Sequence, residues 1–192
     1  ILNVNNGGAS LAAALGTGTL SILGGTLGNT SGATVLLATN NRQEWNGDFS
    51  FAGPHDLNLG TGVVTMSGNR VVTVTTGTLT IGGVLNGGTF GITKEGLGTL
   101  VLASGYNYTG PTQINAGRLD IGVGASIGTG QISLADNALL AFQLSSDLTI
   151  PNKIVGGRVL TLNPLYNVFW DGGTTAQVDL VVPDGDHKAI NP

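Results

Sequence analysis

Few side chains in this sequence are equipped for bond-making chemistry, and those few are scattered. His55 and His187 are the two imidazoles that could serve a Ser-His-Asp arrangement, and no motif places a third group beside either. Each flanks a turn residue, Pro54 or Asp186, and reads as an ordinary surface histidine. Carboxylate pairs for glycoside cleavage can be drawn from Asp48 with Asp56 or Asp184 with Asp186, but spacing along a chain does not fix separation in space. Asp184-Gly185-Asp186 offers oxygen ligands to calcium yet lacks the remaining positions of a calcium loop. With no cysteine, thiolate metal sites and disulfides are both excluded. The Gly-Gly pairs at 7–8, 87–88 and 156–157 precede neither Lys-Ser/Thr nor a helix, so they are corners rather than phosphate loops. No catalytic residue, metal or cofactor is therefore assigned. For carbohydrate, which needs an aromatic face, the candidate contacts are Trp45, in the polar run Asn40 to Asn46 that reads as a projecting loop, and Tyr106. Seven Lys and Arg are dispersed singly in a chain of net charge −4, which disfavours nucleic acid. No apolar run of about 18 residues could enter a bilayer. A start at Ile1, with neither Met nor signal peptide, is expected of a mature product or an interior fragment.

The elements that would carry these residues are short strands. Charged residues are 9% of the chain and Gly is 33 of 192, too little charge to coat a compact core, while 41% hydrophobic content argues against disorder. A pattern of Gly followed by alternating apolar residues occurs at Gly77 with Leu79 and Ile81, at Gly98 with Leu100 and Leu102, and at Gly117 with Leu119 and Ile121. Recurrence at about 20 residues, rich in strand formers, predicts coils that stack on copies of themselves, because one coil alone cannot bury its apolar side. A second unit aligns without gaps from Leu15, Leu59 and Ile127: an apolar residue, Gly-Thr-Gly, a short strand, a two-residue turn, and another apolar residue. Its turn pairs, Gly24-Gly25, Gly68-Asn69 and Asp136-Asn137, keep backbone permissiveness while polar identity varies, as structural corners require. Ala9 to Leu15 is the one stretch with helical propensity. The fold expected is all-β, a parallel β-helix (β-solenoid) of about nine coils and about 40 Å. Residues 1–164 would form the repeats, and 165–192 a terminal coil or a capping or linking segment.

Residues 91–162 resemble the autotransporter-associated β-strand repeat, also called the passenger-associated transport repeat. The resemblance is carried by Thr93-Lys94-x-Gly96-x-Gly98-Thr99-Leu100-x-Leu102, then Tyr108-Thr109-Gly110-x-Thr112-x-Ile114-Asn115-Ala116-Gly117-x-Leu119. Ile127-Gly-Thr-Gly130 and Leu148-Thr-Ile150-x-Asn152-x-Ile154 also fit, whereas Pro111 stands where the family more often has Gly. The resemblance implies a right-handed parallel β-helix in a large, repetitive, secreted or surface-displayed bacterial protein, often an adhesive or matrix component, with no catalytic residues. The expected role is a non-catalytic structural segment, a stiff rod or fibre for adhesion or extracellular matrix. It would associate with itself end to end or laterally, with neighbouring repeats, or with a glycan or cell-surface ligand. The rivals on the same scaffold are a polysaccharide lyase or glycosidase and a glycan-binding module.

Overall fold

The computed structural model describes residues 2–3, 15–123, 125–143, 145–162, 168–170, 177–181 and 187–189. Nearly all of the stretch with helical propensity, residues 9–14, lies outside these. Among the described residues there is no helix, only strands of two to five residues joined by corners. Gly, Asn, Asp or Pro cuts off each apolar alternation before it can lengthen, and these residues supply corners cheaply.

The strands fall on three faces visited in a fixed order. One turn places Val64–Met66 on face one, Arg70–Val74 on face two and Thr78–Ile81 on face three. The next lays Leu85–Gly88, Ile92–Glu95 and Thr99–Leu102 against them, in parallel. On face three the register never slips: Val35, Leu57, Leu79, Leu100, Leu119, Leu140 and Val159 follow one another in a single column, each fully buried. Burying each such side chain is worth about 1.5–3 kcal/mol relative to leaving it exposed. One column residue per turn makes seven turns over residues 15–162, rather than the nine expected from length alone, and a stack about 34 Å long at the ~4.8 Å spacing of paired strands. Gln177–Val181 adds a further parallel rung to face three, and His187–Ala189 pairs with it antiparallel.

The Gly-Thr-Gly units do not share one place in the turn. Those at 16–18 and 60–62 lead into strands on face one, Leu20–Ile22 and Val64–Met66, whereas that at 128–130 leads into Ile132–Leu134 on face two. Gly24-Gly25 and Gly68-Asn69 accordingly join face one to face two, and Asp136-Asn137 joins face two to face three. Of the six, Gly24 and Gly25 adopt positive φ, at 148° and 91°. A motif that aligns without a gap has thus been displaced by one face of the helix.

Candidate functional site

The displacement begins where a strand is lost. Face one runs unbroken through Tyr106–Tyr108, and in the following turn residues 125–131 form no strand against it. Gly122, Gly128, Gly130 and Ser126 leave this passage few strand-forming side chains. Ala125 and Ile127 still turn inward, and Thr129 N–H donates to Tyr108 O at 3.0 Å, but among the described residues no ladder joins this passage to Leu148–Ile150, which pairs with Val168–Trp170. Two adjoining cavities open at the break. One, of about 190 Å³, is bordered by Gln143, Ser145 and Ser146. The other, of about 270 Å³, is bordered by Tyr106, Ile150, Pro151 and Asn152, and the two share Ala125, Ser126, Phe142 and Leu148.

Asn152 also closes the Gly-Thr-Gly corner beneath it. Its Nδ2 donates to Gly128 O at 2.5 Å and to Gly130 O at 2.7 Å. Asn41 does the same one turn above the first such corner, donating to Gly16 O at 2.9 Å and Gly18 O at 2.5 Å. Each amide gives two carbonyls of the previous turn the donors that an irregular corner cannot supply. The clamps differ on the acceptor side. Thr39 Oγ1 donates to Asn41 Oδ1, whereas position 150 is Ile, and the buried Asn152 Oδ1 has no partner. An orphaned buried acceptor costs on the order of 1–3 kcal/mol.

The regular turn before the break is held differently. Lys94 stands inward on face two, in register with Val72 below and Ile114 above, and is 1% exposed. Its ammonium donates to Glu95 O at 2.8 Å, Gly96 O at 2.7 Å and, across to the next turn, Ala116 O at 3.2 Å. Burial pushes its pKa down from 10.5 to about 8, against the opposing pull of the Glu95 charge. Gly96 and Gly117, at φ 79° and 65°, turn the chain from face two to face three in successive turns. Tyr108 and Thr112 join two faces of the next turn with a buried hydroxyl–hydroxyl bond of 2.6 Å, and burial raises the Tyr108 phenol to about 12. Residues 92–121 match the passenger-associated transport repeat. No curated protein and no solved structure matches the chain. The transport repeat and the parallel β-solenoid fit an autotransporter passenger segment, and the repeat family implies a secreted or cell-surface bacterial protein.

Within this stack, the residues singled out from sequence fall as follows. Trp45 is not on a projecting loop. Gln43–Trp45 is a strand between Leu20–Ile22 and Val64–Met66, and its alternation turns Gln43 and Trp45 inward. Trp45 is fully buried, 5.0 Å from Phe49 in an edge-on ring contact, and its indole N–H donates to Gln43 Oε1 at 3.2 Å, so its ring faces the core and presents no surface to a glycan. Tyr106 is buried too, but it borders the cavity of the interrupted face; Ser104 N–H donates to its hydroxyl at 3.3 Å, and burial raises its pKa. Asp48 immediately precedes Phe49–Phe51 and Asp56 immediately precedes Leu57–Asn58, each bonded to the following turn: Asp48 accepts from Val71 N–H at 2.8 Å, Asp56 from Thr78 N–H at 2.7 Å. Asp120 accepts from the Arg118 guanidinium and Glu95 from Asn115, both beside the strands they belong to. Asp184 and Asp186 lie outside the described residues. Asn41, Lys94 and Asn152 were not singled out from sequence as site residues, because their partners are carbonyls that carry no residue identity.

Proposed function

We propose that this chain is a non-catalytic structural segment of an autotransporter passenger, a stiff rod that holds adhesive or matrix-forming surface away from the cell. What supports the reading most is the single buried column on face three, one Val or Leu per turn for seven turns, with a parallel ladder on both sides of every member after Val35. A stack whose face-three rungs are bonded to their neighbours in one continuous ladder resists bending, and an unpaired strand edge such as that of Val35–Leu36 offers pairing to further copies or neighbouring repeats. The carboxylates Asp48, Asp56, Glu95 and Asp120 are bound to backbone or side-chain donors, a use that serves the stack rather than bond cleavage.

Negative-stain electron microscopy with small-angle scattering on the purified chain tests this. Elongated particles that join end to end or side by side as concentration rises are expected, and compact monodisperse monomers at all concentrations would overturn the fibre role. A parallel assay on acidic and neutral polysaccharides is expected to show no turnover. Cleavage that disappears in Asp48→Asn or Asp56→Asn would replace the structural reading with an enzymatic one.

A further inference from the structure

We propose that His187–Ala189 closes one end of face three against a second copy of this chain, so that copies join end to end only through the opposite, Val35–Leu36 end and form pairs rather than open fibres. The inference rests on the reading of the chain as a rod that joins through strand edges, and it gives the two described ends of face three unequal roles.

Three observations carry it. The first is direction. Gln177–Val181 lies parallel on Arg158–Leu162, with Val178 opposite Val159, so the ladder still runs in its original sense at this rung. His187–Ala189 then pairs with it antiparallel, His187 opposite Val181 and Ala189 opposite Asp179, whereas every other strand pairing among the described residues is parallel. The edge on which the next rung would be laid is thus held by a strand of the wrong sense for the winding. The second is length. Successive positions of the face-three column are 19 to 22 residues apart, the chain needed to visit three faces, and Lys188 follows Val178 by only 10. His187–Ala189 is therefore a reversal on one face and not an eighth circuit. The sequence between the two strands contains Pro183-Asp184-Gly185, residues suited to a reversal. The third is the edge that results. It is three residues long and contains Lys188, and both shortness and Lys discourage a further strand from adding. Val35–Leu36, at the other end of the ladder, contains neither Lys nor Pro. Head-to-tail growth needs an open edge at both ends. With one closed, the edge left on each copy meets its counterpart on a second copy in a two-fold contact that uses up both.

The test is electron microscopy of the full chain, with particle length measured over a concentration series. Native particles are expected to be one or two copies long. In the double variant His187→Pro/Lys188→Pro, one of the two lost N–H groups faces Gln177–Val181, because adjacent amides of a strand point to opposite sides, so the closing strand is released. This variant is expected to grow to at least four copies in length at the same concentrations. A second double variant, Val181→Cys/His187→Cys, puts the two thiols of a chain otherwise without cysteine at directly opposed positions. It is expected to form a disulfide within one chain and to keep the native particle length. Absence of that disulfide would show that the reversal does not form, and would overturn the proposal. A proline variant no longer than the native particles would overturn it as well. Long fibres from the native chain would remove the closed end and leave the rod standing, whereas single copies from native and variant alike would remove joining through strand edges altogether.

Discussion

The two asparagine clamps, Asn41 and Asn152, do the same work on opposite sides of a change in the helix. Both bind two carbonyls of a Gly-Thr-Gly corner one turn back, yet Asn41 sits between face three and face one, and Asn152 between face one and face two. Before the break, every donor and acceptor of the amide is used within the chain. After it, the strand preceding the clamp has Ile at position 150 where the earlier turn has Thr39, and an acceptor is left over beside a cavity. A solenoid can therefore shift a corner by a whole face at little cost to its carbonyls, and the residue two places before the amide decides whether the amide's own acceptor is satisfied.

The comparison can be broken most severely at the glycines. A Cβ on Gly62 would land on Asn41 O, and one on Gly130 on Gly110 O, both backbone atoms of the turn beneath. Gly62→Ala and Gly130→Ala are each expected to lower unfolding free energy by about 3 kcal/mol, read by urea titration, showing that both corners stack equally tightly. Next in size is Lys94→Met, which deprives three carbonyls of their donor and is expected to cost about 2 kcal/mol. With Lys94 lowered to about 8 in the folded chain and 10.5 as its ordinary value, the unfolded chain holds the extra proton between those limits. The native protein should thus gain stability as pH rises from about 8 toward 10.5, and the Lys94→Met variant should lose that slope.

The clamps themselves come third. Asn41→Leu is expected to cost about 2 kcal/mol and Asn152→Leu about 1 kcal/mol, because the second change also removes an unpaired acceptor. Equal costs in denaturant titrations would mean that Asn152 Oδ1 is already satisfied. An effect as small as that of Asn152→Leu is expected from Thr39→Val, which gives Asn41 the same orphan at a cost of about 1 kcal/mol.

Much of this architecture was legible in the sequence. Period-two alternation correctly marked Leu79 with Ile81, Leu100 with Leu102 and Leu119 with Ile121 as inward pairs, since alternation alone assigns a side chain to a face. What alternation cannot give is which rung lies beneath. The Ile127 copy of the Gly-Thr-Gly unit looked equivalent to the others and is displaced by a face, because the strand missing from 122–131 leaves no mark inside the copy itself. Trp45 was misread for a related reason: Gln-Glu-Trp within a polar run resembles a loop until Gln43 is seen to bond the indole and make the inward pair self-sufficient. Lys94 reads as surface by type, and only the convergence of three carbonyls explains an ammonium inside an apolar column.

Bonds between turns reach back a short way only: Asn115 to Glu95 spans 20 residues and Asn29 to Asp56 spans 27. Among the described residues no rung waits for a distant partner, so this part of the chain can be threaded from one end and solidify in the order it is fed, each new length setting on the one laid just before. Such growth is directional by construction, and every completed rung acts as a pawl against the chain slipping backward.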